Sequence, residues 1–187
     1  MRYLLTGLLF IFCSACSNSD SSSGGIRIIS PKAEGSKTGQ GIPESVTQYL
    51  KANFTKWSIP NRDDYKIWWS FYEPRTMPYY AITDLNDDRQ EDYAFVLKKP
   101  DSLSVVVLLK KGDTFTHWVA DFKATYNPAD KDIQFGLATE PPGQIDVVIP
   151  RIQSLILRSN AFTLMELENR RCIYYWSDGK ISVFETK

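Results

Sequence analysis

Val105, Val106, Val107, Leu108 and Leu109 form an unbroken apolar run inside "LSVVVLLKK". Its β-branched valines favour extended backbone. A strand apolar at every residue is stable only when both of its faces are covered, so the run predicts a central strand between two layers. Around it the chain keeps the same texture. "YYAIT", "DYAFVLKK", "THWVADFK", "QIDVVI", "SLILRS", "FTLMELE", "RCIYYW" and "KISVFET" are short strand-type runs separated by polar, Gly- or Pro-bearing turns. "KKGDTF" reads as a hairpin turn on Gly112 and Asp113. "YYWSDGKISVF" is the clearest hairpin: Ser177, Asp178 and Gly179 lie between two alternating strands, and Asp-Gly readily takes positive φ.

Ahead of the strands, "IPESVTQYLKANFTKW" places Pro43 at a plausible first helical position and Glu44 in the first turn. Val46, Tyr49, Leu50 and Phe54 recur at helical spacing, which predicts a helix from about Pro43 to Asn53. The stretch from Tyr65 to Tyr80 is strongly aromatic but broken by Pro74 and Pro78. It reads as a short helix around Asp63 to Tyr72 and then a loop. One helical region followed by many sequential strands predicts an α+β fold, with an N-terminal helix packed on a largely antiparallel multi-stranded sheet. Gly41 to Lys187 is a length typical of a single domain.

The first residues have a different character. Arg2 precedes an apolar run from Leu4 to Phe12, too short to span a bilayer but of the proportions of a signal peptide's apolar region. Small residues then lead through "CSAC" to Cys16. Ser14 and Ala15 before Cys16 resemble the lipobox of bacterial lipoproteins, with Cys13 standing where that family usually has Leu. The resemblance implies cleavage after residue 15, acylation of Cys16 with palmitate-type chains, and outer-membrane sorting, since Ser17 rather than Asp follows the cysteine. Ordinary secretory cleavage nearby, with Cys16 left free, is the alternative. Residues 16–40 are rich in Ser and Gly and read as a flexible tether, leaving 41–187 as one domain.

Charge narrows the partners. Lys and Arg number 22 against 22 Asp and Glu, with no basic stripe, so nucleic-acid binding has no support. With Cys16 acylated and Cys13 removed with the leader, Cys172 is the only thiol. An intramolecular disulfide and a multi-cysteine metal site are then excluded. Cys172, among strand-type residues, reads as a buried inert thiol.

"ITDLNDDRQEDYAFVLK" crowds four Asp and one Glu between two strands. Asp84, Asn86, Asp88, Gln90 and Asp92 stand at alternate positions, the spacing that turns oxygen donors inward around calcium. The competing reading is a polar turn whose Asp and Asn side chains satisfy their own backbone. The motif resembles the D-x-[DN]-x-D-G-x-x-D loops of FG-GAP-like, integrin-type and dockerin-like repeats, which implies a structural Ca2+ site. Arg89 occupies the usual Gly position, where positive φ is strained for a side chain. From the aromatic region to the C-terminus, the loop and the "DGK" hairpin of Tyr174 to Lys180 also resemble uncharacterised secreted and lipoprotein domains of bacteria, which lend no function.

Other candidates are fewer. His117 is the single histidine; no GxSxG elbow accompanies it, and it reads as an ordinary strand residue sharing a face with Val119. Glu73, Asp121, Glu140 and Asp146 could supply a hydrolytic carboxylate pair, but nothing in their spacing selects one. Trp68, Trp69, Tyr72, Tyr79 and Tyr80 read either as core or as a platform for a protein or glycan partner. Together these features predict a non-enzymatic, outer-membrane-anchored envelope lipoprotein with a binding or interaction domain. An envelope hydrolase with an unrecognised site, or a glycan-binding module, is the alternative.

Overall fold

The structure is a computed structural model. It describes residues 41–65, 77–122, 124–125, 127, 129, 132–147, 152–166 and 170–186. Helix α1, Glu44–Asn53, starts one residue after the expected Pro43, which sits at the N-cap. Val46 and Leu50 are its buried residues, with Tyr49 and Phe54 packed partly beside them. A 3-10 turn, Arg62–Asp64, is closed by a capping box between Asn61 and Asp64. Residues 66–76, and with them most of the expected second helix, lie outside the described residues.

Strands β1 (Tyr80–Thr83), β2 (Asp92–Lys98), β3 (Ser102–Lys111) and β4 (Thr114–Val119) form an antiparallel meander in that spatial order. The short β5, Ala124–Thr125, also pairs with β3. The β3–β4 turn has Gly112 at φ 60, and Gly takes positive φ without strain. A second sheet runs β11-β10-β9-β6, from β6 (Phe135–Glu140), β9 (Ala161–Glu166), β10 (Arg171–Ser177) and β11 (Lys180–Thr186). Ser177 pairs with Lys180 across Asp178 at φ 53 and Gly179 at φ 77, so the expected hairpin turns on two residues and Ser177, expected in the loop, ends β10. Between β6 and β9, β7 (Gly143–Val147) and β8 (Gln153–Leu157) form a separate two-stranded sheet.

Strand periodicity explains the layers. On β2 and β3 the side chains alternate between two cores. Ala94, Val96, Leu103, Val105 and Val107 meet Leu137, Phe162, Leu164, Cys172 and Tyr174 of the second sheet. Tyr93, Phe95, Leu97, Val106 and Leu108 turn the other way, to Val46 and Leu50 of α1. The Val105–Val107 run thus lies in a strand covered on both faces. A third cluster sets Leu155 and Leu157 of β8 against Ala161 and Ile173, on the far face of the second sheet.

The expected α+β fold is corrected by this arrangement. Strands take 53% of the described residues and helix 11%, so the fold is β-rich and mostly antiparallel, not an α+β fold with a packed N-terminal helix. The larger core lies between two sheets, and α1 is a single covering element on one outer face. A ten-residue helix with two fully committed apolar side chains covers only part of one face. A sheet apolar on both faces needs cover on both, and here a second sheet covers the other face.

Candidate functional site

The acidic segment joins β1 to β2 and turns back on itself through its own side chains. Asp84 accepts from the Asp88 amide at 3.1 Å through Oδ1 and from the Arg89 amide at 2.8 Å through Oδ2. Asn86 Oδ1 accepts from the Asp88 amide at 3.2 Å, and Asp88 Oδ1 from the Gln90 amide at 2.8 Å. The Asn86 and Gln90 side-chain amides both donate to Asp88 Oδ2. These are the local side-chain-to-backbone bonds that short polar residues favour in turns.

Asp92, at the first position of β2, behaves differently. It is fully buried. Its Oδ2 accepts from the Leu85 amide and its Oδ1 from the Lys110 amide, each at 2.9 Å. One carboxylate therefore clasps the loop to the end of β3. Burial pushes its pKa up to about 6, with the nearby Asp88 and Asp84 charges adding to the rise; the two amide bonds oppose it. Gln90 Oε1 accepts from the Gly112 amide, tying in the β3–β4 turn. Ser159 Oγ donates to the Leu85 carbonyl, tying in the residues between β8 and β9. Leu85 itself is buried in the inter-sheet core. The loop is thus a junction of three chain reversals at one end of the fold.

Among the five spaced residues, the structure gathers Asp84, Asn86, Asp88 and Gln90 and turns Asp92 inward to the sheet amides. Among the described residues, no group of three or more His, Cys, Asp or Glu side chains is placed to hold a metal ion. Of these four residues Asp88 is exposed and Asp84, Asn86 and Gln90 are half-buried, and each of their side-chain oxygens already accepts at least one hydrogen bond from an N–H. All are hard oxygen donors of the kind calcium takes, and each carboxylate or amide oxygen has two lone pairs. In donor chemistry, then, these four residues fit calcium.

Arg89 has φ 65 and Asp87 φ 60, so both non-Gly residues sit in the left-handed region. Among the described residues the Arg89 side chain makes no ion pair, so it does not neutralise the loop's carboxylates. Asp tolerates this conformation better than Arg. Arg89→Gly is therefore expected to stabilise the protein by about 0.5–1 kcal/mol, since relief of the side-chain strain exceeds the entropy that Gly adds to the unfolded chain. Urea unfolding midpoints measure it. A loss of stability would show that the Arg89 side chain holds the loop.

The other candidates serve the scaffold. His117 Nδ1 lies 3.0 Å from Tyr49 Oη, and its ring meets Phe54 edge-on at 5.0 Å, so it fastens α1 to β4. Cys172 is buried in the inter-sheet core, and burial raises its thiol pKa, away from the thiolate needed for nucleophilic attack. Glu140 pairs with Arg171 and accepts from Thr163. Asp146 accepts from Ser154 at 2.6 Å and from Gln144 at 3.0 Å, which hold its carboxyl below the ordinary value. Asp121 is exposed, and Glu73 lies outside the described residues. Of the described carboxylates, Glu140 lies on β6, Asp146 on β7 and Asp121 just after β4.

Tyr79 and Tyr80 are both half-buried but belong to opposite cores, Tyr79 to the inter-sheet core and Tyr80 to the α1 side, where it stacks on Phe95 at 6.2 Å. Trp68, Trp69 and Tyr72 lie outside the described residues, as does Cys16.

Two features escaped sequence reading. The Asp64–Lys98 ion pair joins the 3-10 turn to the end of β2, and the Gln144–Asp146–Ser154 cluster lies on the outward face of the β7–β8 hairpin. The alternation of "GQIDV" was a usable signal for the second. The first links residues far apart in the chain and left none. No family model matches the chain, and neither does a curated protein or a solved structure.

Proposed function

We propose that the protein is a bacterial outer-membrane lipoprotein, anchored through acylated Cys16, whose β-rich domain binds an envelope partner and performs no catalysis. The observation that carries this reading is "CSAC" at the end of the Leu4–Phe12 apolar run. Acyl chains on Cys16 would supply hydrophobic anchoring, at about 0.8 kcal/mol per buried methylene, and two or more chains give stable attachment. Within the domain, His117, Cys172 and Asp92, the groups with most chemical potential, are each engaged in holding elements together. That commitment favours a binding role over chemistry, with a protein partner ahead of a glycan.

Bacteria expressing the full chain and fed an alkyne analogue of palmitate provide the test. The expected result is a labelled protein in the outer-membrane fraction, with label and membrane retention both lost in Cys16→Ala. Wild-type protein that is unlabelled and released in soluble form would overturn the anchor.

We further propose that the acidic loop takes calcium as a strut, held by Asp84, Asn86, Asp88 and Gln90. The observation favouring it is that hydrogen bonds gather these four side chains in the one turn between β1 and β2. The ion would offset the mutual repulsion of Asp84, Asp88 and the buried Asp92. At free calcium ten times the dissociation constant, ligand linkage gives about 1.4 kcal/mol of stabilisation. Thermal unfolding in EDTA and then in rising calcium is expected to show this gain in the wild type and not in an Asp84→Asn/Asp88→Asn double variant. An identical response of both proteins would leave the loop as a polar turn closed by its own hydrogen bonds.

A further inference from the structure

We draw no further inference here: the strongest candidate, the outward face of the β7–β8 hairpin, where Ile152 and Ile156 stand exposed near the hydrogen-bonded Gln144, Asp146 and Ser154, has nothing in the structure to show what covers it.

Discussion

Phe95→Ala is expected to lower the unfolding free energy by about 3–5 kcal/mol, a large fraction of the stability of a domain this size. Phe95 is fully buried on β2, paired with Tyr80 on one side and Val106 on the other. Its ring stacks with Tyr80 at 6.2 Å and with Tyr93 at 6.4 Å, in the layer that receives Val46 and Leu50 of α1. Truncation removes the apolar contact and leaves a cavity between a sheet and a helix. The sheet cannot collapse into that space without breaking its ladder. Ile156→Ala is the matched control. Ile156 is 69% exposed, so its loss is expected to stay within about 0.5 kcal/mol. Urea denaturation of both variants decides the matter. A cost for Phe95→Ala as small as the control's would mean that α1 does not pack on this face.

The second large effect is expected at Asp92. Asp92→Ala removes the acceptor for two backbone amides, Leu85 and Lys110, at a buried site. Leaving buried donors unpaired costs about 1–3 kcal/mol each, so a loss of roughly 2–6 kcal/mol is expected at pH 5. The loss is expected to be smaller at pH 7.5, because the wild type itself is weaker there. Asp92 has its pKa raised from 3.8 to about 6 in the fold, chiefly by burial. A raised folded pKa means that the native state holds the proton more tightly than the unfolded chain. Its contribution is therefore fully present below about pH 3.8 and lost as pH rises through about 6. Between pH 5 and 7.5 the linked loss is about 1.4 kcal/mol.

Asp146 does not obscure this window. Its carboxyl is held below the ordinary value by Gln144 and Ser154, so its contribution is lost only in more acid solution. Denaturant unfolding in EDTA at the two pH values, for wild type and Asp92→Ala, gives the comparison. An equal cost at both pH values would show that Asp92 keeps its ordinary pKa and that its two amide bonds offset burial.

Asp92 also marks where sequence reasoning stopped. Its place in "DLNDDRQED" is indistinguishable in spacing from that of Asp84 or Asp88. Which carboxylate enters the sheet depends on β3, whose Lys110 amide lies eighteen residues further along the chain. The same holds for Tyr79 and Tyr80, adjacent in sequence and equally aromatic, yet committed to opposite faces of one sheet. His117 could be placed on a strand face from alternation alone. That the face would meet Tyr49 of α1 could not.

Local physics by itself determined a good deal: α1 to within a residue, the buried central strand around Val105–Val107, and the Asp178-Gly179 hairpin with its two positive φ angles. Each rests on periodicity or on backbone sterics within a few residues. Only the tertiary structure decided that the strands divide into three sheets, that the main core is sheet against sheet, and that Asp92 is a buried clasp. Periodicity states which face of a strand is apolar, but not which other apolar face will cover it. That choice is made by contacts distant in sequence, and no local pattern encodes them.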